Sequence, residues 1–574
     1  MASVPSSHDV AAAQAAFSRT LFDELSRGGV VDVVVCPGSR STPLVLAALA
    51  TPSLTLHVRL DERSAGFFAI GRALASRRPV AVVVTSGTAA AELTASVVEA
   101  DLAHVPLVVL TADRPPELRG IGAPQTIDQV KLYGAVVRRF EDPGVIRPAS
   151  SPTWRALASR LVAAAVAGRG PVHLNLPLVE PLDAAPSELP AGRAGSTPWR
   201  TVVVPDEAAG TAPFAALGGV RGLLIAGRGA GDPDAIVAVA ERHGWPLLAD
   251  PMSGARRSHP CVVTSFDALV GEDAVRDALR PDVVVTLGAP PASRALGDAL
   301  VAWAPRVLAV APSGWPDDPH GIVADVLACP PAAWARAAAT LAPLGSPDAY
   351  RAAWRSADDA ADAYFAEACD AELSEPSVAR RLYRSLPVDV PLVVSNSMPV
   401  RDLEWFGGAV ERPRAVYANR GANGIDGVVS TALGVATGAR AVGLLGDLAF
   451  LHDAGALGGG LGDGGGRCVL VVADNRGGGI FSFLPQRRSV DHEAFERLFA
   501  TPPTVSIGDV AAGFGCEVRE VKDLAALSQA VDAGLGSEAV TVVVAAVPDR
   551  DRNVALHRHL GSAAGAAARV AIGG

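Results

Sequence analysis

Short runs of Val, Leu and Ala recur along this chain, each of strand length and bounded by Gly, Pro or a charged residue, and they alternate with stretches of helical spacing. The runs at 30–35, 80–84 and 105–110 are almost wholly apolar, as strands covered on both faces are. Helical patterns at 64–76 and 89–100 lie between them. A strand, a crossover helix and a second parallel strand form the unit of doubly wound sheets. The expected fold class is therefore α/β, with parallel sheets carrying helices on both faces.

A chain of 574 residues corresponds to about three or four domains. Two stretches rich in Pro, Gly and Ser lack periodicity and read as linkers: 183–200 (DAAPSELPAGRAGSTPWR) and 342–348 (APLGSPD). They leave three expected domains, 1–185, 200–342 and 349–574. The first and last have a common grammar. In the first, a strand at 80–84 leads to Ser86-Gly87-Thr88, a helix, and a strand ending at Asp113. In the last, a strand at 441–445 leads to Gly446-Asp447, a helix-length segment, and a strand at 469–472 ending at Asp474-Asn475. Either an internal repeat or the shared β-α-β grammar alone produces this. The glycine run within 455–467 opposes a long helix there, so a short or broken helix and a loop are expected.

Sixty acidic against 50 basic residues give a formal charge of -10, which disfavours nucleic acid and anionic membranes as partners. The six cysteines are scattered without a CxxC pair, which suits a reducing cytosol rather than a zinc or dithiol site. The N-terminus has no basic-then-apolar leader and no apolar run approaches the roughly 18 residues of a membrane helix. The expectation is a cytoplasmic protein. All but two of the basic residues (Lys131 and Lys522) are Arg, so an Arg by itself is weak evidence of a site.

The strongest chemical signal is Asp447 with Asn475. Carboxyl ends of neighbouring parallel strands open onto one crevice. A carboxylate and an amide oxygen there, with a carbonyl from the Gly-rich turn 476–479, make a hard-oxygen set suited to Mg²⁺; two ordinary strand-end turns would look the same. The stretch 36–43 (CPGSRSTP) follows a strand and opens a helix. Gly38 is expected to permit a tight turn, and Arg40 offers a fork for a carboxylate, or is a solvated loop Arg. Asp61-Glu62 precedes a helix, where acidic residues also simply complement the dipole. Arg114 with Gln125, Arg401 after Ser397, and Arg420 each stand just past an apolar strand, where either crevice residues or surface charges sit.

Together these segments resemble the thiamine-diphosphate-dependent enzymes, and within them the 2-succinyl-5-enolpyruvyl-6-hydroxy-3-cyclohexene-1-carboxylate synthases of menaquinone biosynthesis. The resemblance rests on CPGSRSTPL (36–44), LDERSAGFFAIG (60–71), TSGTA (85–89), LTADRPPEL (110–118), NSMPVRD (396–402), NRGANGIDGVVSTALG (419–434), GDL (446–448) and DNRGGGIF (474–481). It implies a pyrimidine-binding, a central Rossmann-like and a diphosphate-binding domain in that order, and a homodimer or dimer of dimers with active sites between subunits. It implies thiamine diphosphate with Mg²⁺ (or Mn²⁺) as cofactors. The reaction implied is decarboxylation of 2-oxoglutarate and addition of the succinyl unit to isochorismate.

By the same resemblance Glu62 is the catalytic carboxyl at the pyrimidine ring. Ile425, Leu448, Gly478, Ile480 and Phe481 line the cofactor, and Asp447, Asn475 and the Gly477 carbonyl hold the metal. Ser397 and Arg401 match 2-oxoglutarate positions. Arg40, Arg114, Gln125 and Arg420 match the isochorismate side, Ser39 is a further substrate residue, and Arg294 stands where the family often has Lys. The chain departs from the family at Pro124, at Glu92 and in the glycine run 458–466, which replaces a helix after the metal aspartate. Three other readings compete. One is another thiamine-diphosphate enzyme acting on pyruvate. The second is a dinucleotide-dependent dehydrogenase, from the GRGAG fragment at 227–231, which lacks a third matching glycine. The third is a degenerate subunit that binds metabolites without turning them over, against which the retention of Glu62, Asp447 and Asn475 argues.

Overall fold

The computed structural model describes residues 6–203, 211–459 and 467–573. Its strands form three six-stranded parallel sheets. The first holds β1 (Asp32–Val35), β2 (Thr55–Val58), β3 (Val80–Val84), β4 (Leu107–Asp113), β5 (Arg139–Glu141) and β6 (Val172–Pro177) in the order 2-1-3-4-6-5. The second holds β7 (Gly222–Ala226), β8 (Leu247–Ala249), β9 (Val262–Val263), β10 (Val283–Leu287), β11 (Arg306–Val310) and β12 (Val323–Leu327) in the order 12-11-10-7-8-9. The third holds β13 (Leu392–Val394), β14 (Val416–Tyr417), β15 (Arg440–Gly446), β16 (Arg467–Asp474), β17 (Glu517–Val521) and β18 (Thr541–Ala546) in the order 14-13-15-16-18-17.

The first and third sheets therefore have one topology, as an internal repeat would give. The middle sheet has the order typical of dinucleotide-binding folds. That order accounts for the GRGAG fragment as the turn after its first strand. The apolar runs form the fully buried strands they were expected to form, such as VAVVV in β3.

The first and third sheets are joined through two helices, Glu62–Ser76 and Val428–Ala436, whose apolar residues merge into one core. Glycine makes this crossing possible. A Cβ on Gly71 would stand 2.1 Å from the Thr431 carbonyl oxygen, and one on Gly434 would stand 2.2 Å from that of Phe68. Helices Asp348–Ala371 and Arg550–Ala571 pack on each other and on the middle sheet's helix Phe266–Gly271, burying Trp354, Phe365 and Leu560. Among the described residues no helix is long and apolar enough to cross a membrane.

Several local expectations change. The helix expected over 89–100 is two, Thr88–Glu92 and Thr94–Leu102, broken at Leu93. Gly38 is not needed for a turn; a Cβ there would meet the Thr85 side chain at 2.4 Å, so its role is close approach. Asp447 does not end a strand but opens the short helix Asp447–His452, followed by a 3₁₀ turn at Ala454–Gly458. A helix thus does follow that aspartate, short and broken as expected for this region. The remainder of the glycine run, 460–466, lies outside the described residues.

Candidate active site

The carboxyl ends of β13, β15 and β16 open onto a cavity of about 380 Å³. β15 and β16 pair in parallel with Gly446 opposite Ala473, so the chain leaves the sheet at Asp447 and at Asn475 side by side. Asp447 is buried, and its carboxylate accepts the Leu448 and Gly477 N–H groups at 2.7 and 2.6 Å. Burial, with Asp474 adding to it, pushes its pKa up to about 7.

Asn475 is buried as well. Its Nδ2 donates to Glu375 Oε1 at 2.6 Å, while its Oδ1 has no hydrogen-bond partner. An orphaned buried acceptor beside a buried carboxylate is the donor set a hard divalent cation takes. The third candidate ligand, the Gly477 carbonyl, sits in a turn only glycine tolerates: its φ is +132° and a Cβ would meet the Ala500 carbonyl at 2.4 Å. These residues fit a Mg²⁺–diphosphate group.

The same cavity is lined by Ile425, Leu448, Gly478, Ile480 and Phe481, and by Ser397, Arg401 and Arg420. Ser397 is held at φ 71°, ψ −128°, a conformation rare for a residue with a side chain. The Arg401 guanidinium donates to the Ser397 carbonyl. Asn396 laces the two substrate-side segments together, donating from Nδ2 to the carbonyls of Asn419 (2.6 Å) and Gly424 (2.7 Å), and its Oδ1 receives Arg420. Burial lowers the pKa of Arg401, and the neighbouring positive charge of Arg420 adds to this. Two guanidiniums lining one cavity suit an anionic ligand there.

A second group lies on the first sheet. Ser86, after β3, is its hub: the Arg114 guanidinium donates to its hydroxyl, which donates to the Gln125 carbonyl at 3.0 Å, and Gln125 Nε2 donates to the Ser86 carbonyl at 3.0 Å. Gln125 has a left-handed backbone, φ 55°. Burial and the Arg40 charge lower the pKa of Arg114. Arg40 is not a free cation: it pairs with Glu180 at 3.1 Å and donates to the Leu178 carbonyl. Ser39 is exposed beside it.

Glu62 is the first residue of its helix, whose N-cap Asp61 accepts the Ser64 N–H. It is half-buried, and its pKa is raised by that burial and then by Asp61 and Glu92. Neither Glu62 nor this second group lines the cavity of Asp447. Arg294 stays apart from both, exposed at the start of helix Arg294–Trp303 and 3.6 Å from Asp298.

Two residues of the cavity were not singled out in the sequence. Asn396 lies in a motif read for its Ser and Arg. Glu375 follows Ser374 and reads only as an acidic residue after a capping serine, which it also is; no local signal marks it.

Comparison with known proteins follows the same lines. Residues 16–132 match the model of the thiamine pyrophosphate enzyme N-terminal TPP binding domain, and residues 194–394 match the model described as the middle domain of thiamine pyrophosphate. A protein of Thermobifida fusca is 42% identical over 580 residues, covering 96% of this chain and 99% of its own. One of Myxococcus xanthus is 40% identical over 586 residues, covering 95% and 96%. One of Halobacterium salinarum is 39% identical over 566 residues, covering 92% and 94%. All three carry the name 2-succinyl-5-enolpyruvyl-6-hydroxy-3-cyclohexene-1-carboxylate synthase.

Proposed function

The chain belongs to the 2-succinyl-5-enolpyruvyl-6-hydroxy-3-cyclohexene-1-carboxylate synthase family of thiamine-diphosphate enzymes, and from that premise we propose that it decarboxylates 2-oxoglutarate and adds the succinyl unit to isochorismate, in menaquinone biosynthesis. The observation that carries this is the cavity of Asp447 and Asn475, which gathers a hard-oxygen pair, an apolar wall and two guanidiniums.

Asp447, Asn475 and the Gly477 carbonyl would hold Mg²⁺ (or Mn²⁺), and with it the diphosphate. Ile425, Leu448, Gly478, Ile480 and Phe481 would shape the apolar bed. Thiamine diphosphate, when bound, supplies the electron sink that decarboxylation of a 2-oxoacid requires. Glu62 is the catalytic carboxyl: its burial favours the protonated form, which suits a group that holds a proton at the pyrimidine ring nitrogen and takes it back. Ser397 and Arg401 would receive 2-oxoglutarate. Arg420, with Ser39, Arg114 and Gln125, would receive the carboxylates of isochorismate; Arg40 would join them on leaving Glu180, and Arg294, exposed beside Asp298, is the last cation of this proposal. Fixed cations suit these substrates because both are dicarboxylates.

In this reading the protein is a cytoplasmic homodimer or dimer of dimers, each site combining Glu62 of one protomer with the cavity of the other. Supporting it, Glu62 and the cavity do not meet in one chain, and Leu60 beside Glu62 is a large apolar side chain left 73% exposed. The division at 1–185, 200–342 and 349–574 into pyrimidine, central and diphosphate domains is part of the same proposal. The deciding experiment assays isochorismate with 2-oxoglutarate, with and without thiamine diphosphate and Mg²⁺, against pyruvate as donor. Product is expected only with 2-oxoglutarate and both cofactors; turnover of pyruvate alone overturns the reading.

A further inference from the structure

Glu375 opens the helix Glu375–Ser385, capped by Ser374, and is only 4% exposed. A carboxyl group this deeply buried needs a reason, since burial without partners is costly. The helix start supplies part of one. Its remaining contact is specific: Oε1 accepts Nδ2 of Asn475 at 2.6 Å.

The surroundings fix that contact from several sides. Asp402 and His557, themselves joined at 2.5 Å, and Asp447 are the charged groups that act on Glu375. The ring of Phe483 packs edge-on against His557. Gly479 stands against the same amide nitrogen, where a Cβ would lie 2.5 Å from Nδ2. The amide nitrogen therefore lies against both a carboxyl group and a glycine turn.

An asparagine amide has two faces of opposite chemistry, and its orientation is set by what its two ends touch. Here the Nδ2 end is the one set on Glu375, whose Oε1 accepts it. The Oδ1 end is thereby turned the other way, where it is buried and without a partner. We propose that Glu375 is a positioning residue that sets the Asn475 amide so that Oδ1, not Nδ2, faces the divalent cation. This rests on the assignment of Asp447 and Asn475 as metal ligands. Partners behind a ligand typically change metal affinity 10–100-fold when removed.

The test is a Mn²⁺ titration followed by the loss of the free-ion EPR signal, on protein saturated with thiamine diphosphate. Four proteins are compared: the parent, Glu375→Ala, Glu375→Gln and Asp447→Ala. Roughly 10–100-fold weaker binding is expected for Glu375→Ala. Near-parental binding is expected for Glu375→Gln, whose carbonyl still accepts Nδ2. Asp447→Ala is expected to lose the site. Parental affinity in a folded Glu375→Ala, with the site lost in Asp447→Ala, overturns the role of Glu375 alone. Parental affinity in Asp447→Ala overturns the metal assignment and this inference with it. Should Glu375→Ala not fold, a crystal structure of the parent with Mn²⁺ and thiamine diphosphate decides. Oδ1 on the ion with Nδ2 on Glu375 supports the proposal; an amide turned from Glu375, or Glu375 itself on the ion, overturns it.

Discussion

The side-chain amide of Asn396 donates to the carbonyl of Gly424 at 2.7 Å, tying the turn after β13 to the segment that carries Arg420 and Ile425. Its second hydrogen goes to the carbonyl of Asn419. One buried side chain therefore fixes the spacing of Ser397 and Arg401 relative to Arg420. Asn396→Ala leaves two carbonyls unpaired, each worth about 1 kcal/mol. The expected outcome is a fall in kcat/KM for 2-oxoglutarate of roughly 10–30-fold. Steady-state kinetics check this; unchanged kcat/KM in a folded variant shows that the two segments keep their spacing without the tie.

Glu62→Gln keeps the shape of the side chain and removes its proton exchange. Turnover is expected to be abolished while Mg²⁺ and thiamine diphosphate still bind, as followed by calorimetry. Near-normal activity would remove Glu62 from the mechanism. Because Glu62 and Asp447 do not share a cavity in one chain, the inactive Glu62→Gln and Asp447→Asn proteins should recover activity when subunits are remixed. Lack of recovery, with subunit exchange demonstrated, argues that each site is built within one chain.

Gly434 faces the Phe68 carbonyl across the crossing of helices Glu62–Ser76 and Val428–Ala436, where an added methyl would stand 2.2 Å from the oxygen. Backbone on both sides leaves nothing flexible to yield. Gly434→Ala is expected to cost about 2–3 kcal/mol through forced separation of the helices. Denaturant unfolding measures it, and an unchanged midpoint would mean the two helices separate freely.

His173 is buried between the rings of Tyr133 and Phe140, with Nε2 2.8 Å from Thr111 Oγ1. Burial drives its pKa down to about 3. An unfolded-state histidine titrates near 6.5, so between these values the unfolded chain binds the proton and the folded one does not. The stability is full above pH 6.5 and declines as pH falls toward 3. Between pH 7 and 5 the parent should lose about 2 kcal/mol through this residue. His173→Phe should show a shallower decline over that interval; parallel curves would show that folded His173 takes up its proton as readily as the unfolded residue.

Much of the site was legible because it lies at strand ends. Asp447 and Asn475 each follow an apolar run, and parallel pairing of those runs is enough to bring them together. Ser397, Arg401, Arg420 and Ile425 were marked by motif and reach the same cavity. Glu375 was not legible, because it pairs with a residue 100 positions away and its own neighbourhood reads as an ordinary helix start. Arg40 looked like a free fork after a Gly turn, yet Glu180, 140 positions on, occupies it.

The sequence by itself determined the α/β class, the location of the strands and the residues at their carboxyl ends, because these follow from side-chain spacing along a few consecutive residues. Only the tertiary structure decided that the outer sheets share one topology and are joined by two helices in glycine-mediated contact. It also decided that Asn475 is held by Glu375, that Arg114 and Gln125 converge on Ser86, and that Glu62 stands apart from the cavity of its own chain. These depend on how separate strand ends and helices are set against each other, a matter of packing between distant segments that no local pattern records.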